Sequence, residues 1–195
     1  MNWPNRLTLV RIFLAPLFVF LFLIDNVYAR LSALIIFVLA ALTDTVDGWL
    51  ARKYNITTGF GKFMDPLADK ILISSALVAF IALGYAKLWM VLPIIARDFF
   101  ITGLRSLAAY KGVLIVTTGF AKVKTTLQML AVGVILVFIN LKTFLPLWDI
   151  NWSIFTDPAV ITAFDVMLFI TMVVTVWTGI DYLIKNFYLL KGMLS

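Results

Sequence analysis

Six long apolar stretches constrain this chain more than any other feature. A helix that crosses the hydrocarbon of a bilayer needs about 20 mostly apolar residues, and only helices and closed barrels satisfy their backbone there. The stretches run over Leu7–Ile24, Leu31–Leu50, Pro66–Leu83, Leu88–Ala109, Thr125–Leu141 and Pro158–Leu183. Arg97, Asp98 and Arg105 interrupt the fourth, and the sixth is long enough to tilt. Hydrophobic residues make up 63% of the 195, and mean hydropathy is +1.05. A soluble domain averages about 45–50% apolar. The expected fold class is therefore all-α integral membrane, with six transmembrane helices. No hydrophilic block is large enough for a second domain, so residues 1–195 read as one unit.

Charge gives the expected orientation. Thirteen Lys and Arg fall on one side: Arg6, Arg11, Arg52, Lys53, Lys62, Lys70, Arg97, Arg105, Lys111, Lys122, Lys124, Lys185 and Lys191. Arg30, Lys87 and Lys142 remain for the other. Positive residues favour the cytoplasmic side, which puts both termini there. Trp89, Trp148 and Trp152 suit the outer interface, and Trp3 and Trp49 the inner. The net charge of +6 is thus a membrane signal, not a nucleic-acid one. The N-terminus imitates a secretory signal ending at Val27-Tyr28-Ala29, but Arg11 inside the apolar run and five later spans argue for its retention. The 17 Phe are read as lipid-facing packing and not as a cofactor box.

Cysteine and histidine are both absent. Thiol nucleophiles, disulfides, imidazole bases and His- or Cys-ligated metals are excluded. All ten acidic residues are Asp. A general base must then be Asp or, failing that, Lys or Tyr. A metal site must be built of oxygen, which favours Mg²⁺, Mn²⁺ or Ca²⁺ over zinc.

Four of those aspartates form two pairs, Asp44 with Asp47 and Asp65 with Asp69. Residues three or four apart share a helix face. An ionised Asp costs about 2.5–3.5 kcal/mol at the centre of a membrane helix and less near its end, so a cluster there points to function. Two divalent cations would neutralise all four. A pair of metals about 3.5–4 Å apart clamps the attacking and leaving oxygens of an in-line displacement at phosphorus. Asp65-Pro66 reads as a helix start, with Asp as N-cap and Pro in the first position. Gly48 permits close approach to the backbone, Gly59 and Gly61 loosen the connection, and Thr57 and Thr58 offer hydroxyls. Arg52, one turn past Gly48, suits two-point phosphate binding. A solvated loop with caps and inner-side charges explains one Asp pair, but not the whole string. The rival from another class is a divalent-cation transporter, which requires carboxylates near mid-bilayer.

From Asp44 to Asp69 the chain reads D-x₂-D-G-x₂-A-R-x₈-G-x₃-D-x₃-D. That string resembles the signature of the CDP-alcohol phosphatidyltransferase family at every position. The resemblance implies a six-helix membrane fold, usually a homodimer, with a polar cavity open to the cytoplasm. It implies attack by an alcohol on the phosphatidyl phosphorus of CDP-diacylglycerol, releasing CMP, with Mg²⁺ or Mn²⁺ as cofactor. Asp44, Asp47, Asp65 and Asp69 would hold one or two ions, and Asp69 would also deprotonate the alcohol. Gly48, Arg52 and Thr58 match positions that hold the CDP-lipid, and Asn5, Thr8 and Gly61 are assigned with them.

Other segments bear on the acceptor. Asn5-Arg6-Leu7-Thr8-Leu9-Val10-Arg11, Ala96–Arg105 and Lys122–Gln128 resemble bacterial members of the family that use sn-glycerol 3-phosphate, as does Gly179-Ile180-Asp181-Tyr182 more weakly. Asp98 stands where Glu is expected, and Ala121 where Gly usually precedes Lys-x-Lys-Thr. The implied location is the bacterial inner membrane. Arg97 and Arg105, about two turns apart, and Lys122 and Lys124 from the next loop together suit a phosphate dianion. The plainer reading pairs Arg97 with Asp98 or Asp181 and leaves Lys111, Lys122 and Lys124 as markers of the inner side. Another acceptor, inositol phosphate or serine, is the alternative within the family.

Overall fold

Each apolar stretch forms a helix, and most of the helices run past the stretch into polar residues. In a computed structural model, α1 spans Trp3–Leu23, α2 Val27–Tyr54, α3 Gly59–Ala82, α4 Leu88–Tyr110, α5 Phe120–Phe144 and α6 Pro158–Lys185. Two single-turn 3₁₀ helices, Leu145–Trp148 and Ser153–Phe155, link α5 to α6. The structure describes residues 3–54, 59–111, 120–150 and 152–187, with side chains except at 3–7, 44–54, 59–63, 65, 110, 120 and 121. No strand occurs among the described residues.

The Asp-Pro dipeptide occurs twice and does two different things. At α6, Asp157 accepts from the Ala159 N–H at 2.8 Å, and Pro158 opens the helix. The expectation of the same start at Asp65-Pro66 is corrected: α3 begins at Gly59, and Pro66 lies inside it. Proline lacks the N–H that would reach the residue 62 carbonyl, so this turn is held one bond short. The preceding residues decide the outcome, since Gly59–Met64 are already helical. Asn26 caps α2, accepting from Tyr28 and Ala29 at 2.9 and 3.3 Å. Gly84, at φ +79°, ends α3 in a left-handed turn, with Tyr85 N–H donating to the Phe80 carbonyl and Gly84 N–H to Ile81. That turn sends the chain directly back into α4.

α1 packs on both α2 and α3, α4 on α3 and α6, and α5 on α6 and α2. Small residues allow the closest approach: Ala15, Ala40 and Ala68, one each on α1, α2 and α3, are fully buried. The phenylalanines divide between two roles. Phe13 and Phe20 are 72% and 66% exposed on the exterior, but Phe18, Phe22 and Phe80 are fully buried. Phe18 and Phe22 stack at 5.3 Å, and Phe80 meets Phe22 edge-on. The reading of Phe as lipid-facing therefore fails for these core rings. A helix turns a residue inward every three or four positions, whatever the composition of its neighbours.

Lys122–Trp148 and Pro158–Lys185 are long and apolar enough to cross a membrane, whereas Thr8–Leu23 and Val27–Thr43 are shorter apolar segments. Three cations gather at one end. Arg30 pairs with Asp25 at 2.9 Å and donates to Thr143 at 2.7 Å. Lys87 pairs with Asp165 at 2.6 Å, and Lys142 donates to the Tyr85 hydroxyl at 3.2 Å. These contacts gather Arg30, Lys87 and Lys142 at the end that also carries the exposed Trp89, Trp148 and Trp152.

Candidate active site

Asp69 lies on α3, ten residues past Gly59. Its carboxylate is 36% exposed and accepts from the Arg11 guanidinium at 2.5 Å. Arg11 itself is 2% exposed. The close packing of α1 on α3 brings them together, and Thr8, buried one turn earlier on α1, lies on the same face. A cavity of about 200 Å³ opens beside the pair, with Lys70 and Thr125 on its wall. Sequence reasoning noted Arg11 as an inner-side charge, a break in the first apolar run and the end of the Asn5–Arg11 segment, but gave it no partner. The signal was present, because a cation inside an apolar run calls for a partner.

The backbone places Asp44, Asp47, Gly48 and Arg52 on α2, and Gly61 and Asp65 on α3 with Asp69. Asn5 is on α1. Of these residues only Asp69 has a described side chain, and Thr58 lies outside the described residues altogether. The register sets Asp44 and Asp47 three apart on one helix and Asp65 and Asp69 four apart on the next. α2 is described to Tyr54 and α3 from Gly59. A donor set made only of carboxylates, without His or Cys, matches the oxygen coordination of a hard divalent cation and no soft one. Asp44, Asp47, Asp65 and Asp69 are the residues that would hold it.

A second charged group joins α4, α5 and α6. Asp98 is 2% exposed and accepts from the Lys124 ammonium, itself 1% exposed. Arg97 donates to Asp98 at 3.3 Å and, through its other terminal nitrogen, to the Thr178 hydroxyl at 3.2 Å. The Arg97 stem lies across Gly179, where a Cβ would come within 2.9 Å of its Cγ. Arg105 stands over the Tyr182 ring at 5.8 Å. Of the four cations assigned to acceptor phosphate, the structure brings Arg97 and Lys124 onto Asp98. Arg105 and Lys122 are exposed. The alternative pairing of Arg97 with Asp98 is thus present, while Asp181 instead takes Lys185 at 2.9 Å. Thr178 and Tyr182 were not anticipated as members of this group. Their signal was the spacing Thr171, Thr175, Thr178, Gly179 and Tyr182, which buries one stripe of α6.

The sequence profile of the CDP-alcohol phosphatidyltransferase family matches residues 1–177. The chain belongs to that family. Three relatives share the name CDP-diacylglycerol–glycerol-3-phosphate 3-phosphatidyltransferase. The Bacillus subtilis protein is 36% identical, with 97% of each chain covered. The Escherichia coli K12 protein is 37% identical over 93% of each. The Rickettsia felis protein is 42% identical over 69% of this chain and 75% of its own. CDP-alcohol phosphatidyltransferases generally depend on a divalent metal, in keeping with the all-oxygen donor set.

Proposed function

We propose that this chain transfers the phosphatidyl group of CDP-diacylglycerol to the primary hydroxyl of sn-glycerol 3-phosphate, giving phosphatidylglycerophosphate and CMP. The observation that carries the reading is the complete Asp44–Asp69 string in a chain similar along nearly its whole length to relatives of that name. Bound Mg²⁺ or Mn²⁺, two ions for four carboxylates, would offset the pyrophosphate charge and make the acceptor hydroxyl more acidic. Arg52, with Gly48, Thr58, Gly61, Asn5 and Thr8, holds the CDP-lipid. Asp69 takes the hydroxyl proton, and Arg11 holds that carboxylate in place. A new P–O bond forms to the glycerol oxygen, the P–O bond to CMP breaks, and CMP departs with the bridging oxygen.

The chain acts as one six-span unit in the bacterial inner membrane, with both ends and the aspartates facing the cytoplasm. The gathering of Arg30, Lys87 and Lys142 at the opposite end supports that orientation. Acyl chains stay in the bilayer while the two phosphate-bearing headgroups meet in a polar cavity, and the working form is a homodimer. Purified protein in mixed micelles, given CDP-diacylglycerol and each of glycerol 3-phosphate, inositol phosphate and serine, tests the assignment through CMP release. Release with glycerol 3-phosphate is expected. Release only with another acceptor refutes the choice of substrate, and metal flux in liposomes without CDP-lipid refutes the reaction class.

A further inference from the structure

Asp98 lies on α4, on neither of the helices that carry the aspartate pairs, yet it is among the most buried charges in the protein. One carboxylate holds two cations, Lys124 from α5 and Arg97 from its own helix, so the group keeps one net positive charge. Arg97 spends one terminal nitrogen on Asp98 and the other on Thr178, and its Nε has no hydrogen-bond partner. Such a group is a poor device for stability alone. Buried ion pairs are commonly replaceable by apolar side chains at no net cost, whereas breaking one is expensive. Its placement suggests a different use. Lys124 lies two residues past Lys122, at the start of α5, and Arg105 lies two turns past Asp98 on α4. Tyr182, under Arg105, is one turn past Thr178 on α6. The three helices around the exposed cations Arg105 and Lys122 are therefore tied together through a single buried oxygen, Asp98 Oδ1, and the Arg97 that it holds.

We propose that Asp98 is a positioning residue for the acceptor. By clasping Lys124 and Arg97 it sets the spacing of Arg105 and Lys122, the cations that receive the acceptor's phosphate dianion, without touching that phosphate itself. The inference rests on the function proposed above. Two strong donors aimed at one phosphate must stay in register, and a misplaced donor forfeits a charge-assisted bond. The consequence falls on acceptor binding and spares the CDP-lipid, which is held by α1, α2 and α3.

Steady-state CMP release by the full chain in mixed micelles, with KM measured for each substrate, tests the role in Asp98→Asn, Asp98→Glu and the double variant Asp98→Asn/Lys124→Met. The double variant removes the carboxylate and the ammonium together, so no Lys is stranded in the core. Asp98→Asn and the double variant are expected to raise the glycerol 3-phosphate KM by about tenfold or more. The CDP-diacylglycerol KM should stay within about twofold, and Asp98→Glu should restore most of the acceptor affinity. Equal changes in both KM values, or a folded double variant with the wild-type acceptor KM, overturn the proposal. If neither Asn variant folds, Thr178→Val decides, since it removes only the second hold on Arg97. A rise of about threefold in acceptor KM supports the role, and an unchanged value overturns it. Absence of turnover by the wild-type chain with glycerol 3-phosphate overturns the functional reading and this inference with it. A working wild type with unmoved KM values in the variants overturns the positioning role alone.

Discussion

Gly179→Ala puts the α4–α6 contact to a quantitative test. In an open helical position, replacing Gly by Ala gains about 0.5–1 kcal/mol from backbone entropy and propensity. At Gly179 the new methyl would sit 2.9 Å from Arg97 Cγ and 3.4 Å from its Nε. Cγ is near the root of the side chain, so relief requires moving the whole guanidinium. That move gives up the bonds to Asp98 and Thr178. Overpacking of this kind costs about 1–3 kcal/mol, and a bond to a charged group about 1.5–3 kcal/mol. With one such bond lost in addition to the overpacking, and the propensity gain subtracted, the substitution should destabilise by about 1.5–5.5 kcal/mol. Gly133 on α5 is the internal control, because a Cβ there meets nothing within 4 Å. Gly133→Ala should therefore be neutral or stabilising by about 0.5–1 kcal/mol. For a chain of this length the two variants should differ in Tm by at least about 3 °C. Thermal unfolding of both in the same detergent measures the gap. Equal Tm values, or a more stable Gly179→Ala, would refute the reasoning that Arg97 is pinned between Asp98 and α6.

Three further outcomes are expected. Asp44→Asn or Asp65→Asn should reduce CMP release by at least about a hundredfold while the protein still folds, as judged by its thermal transition; intact turnover would remove the aspartates from the chemistry. Chelation should abolish activity, Mg²⁺ or Mn²⁺ should restore it, and Zn²⁺ should do so poorly, since the donors are all oxygen. The absence of native cysteine makes single-cysteine labelling direct. Lys87→Cys should react with an impermeant maleimide from outside right-side-out cells and Lys111→Cys only after permeabilisation, and the reverse pattern would invert the orientation.

The placement of the signature string on α2 and α3 is legible in the sequence. The signature string names its residues, and helical spacing puts each Asp pair one turn apart. The start of α3 is not legible there. Asp65-Pro66 and Asp157-Pro158 carry the same local signal, and only the second is a helix start. An N-cap rule reads the dipeptide without knowing whether the residues before it are already helical. The fate of the four cations assigned from the sequence to acceptor phosphate is equally hidden, because Lys122 and Lys124 look alike in sequence, yet one is exposed and the other 1% exposed on Asp98.

Sequence alone determined the apolar stretches, the absence of any His or Cys donor for a metal, and the family. Each is a property of residue type or of spacing within one helix, so short-range physics suffices. Tertiary structure decided which charges became partners: Arg11 with Asp69 across 58 residues, and Lys124 with Asp98 across 26. Those pairings depend on which helix faces meet, and that is settled by how the buried alanines and phenylalanines pack, not by any local preference of the charged residues themselves.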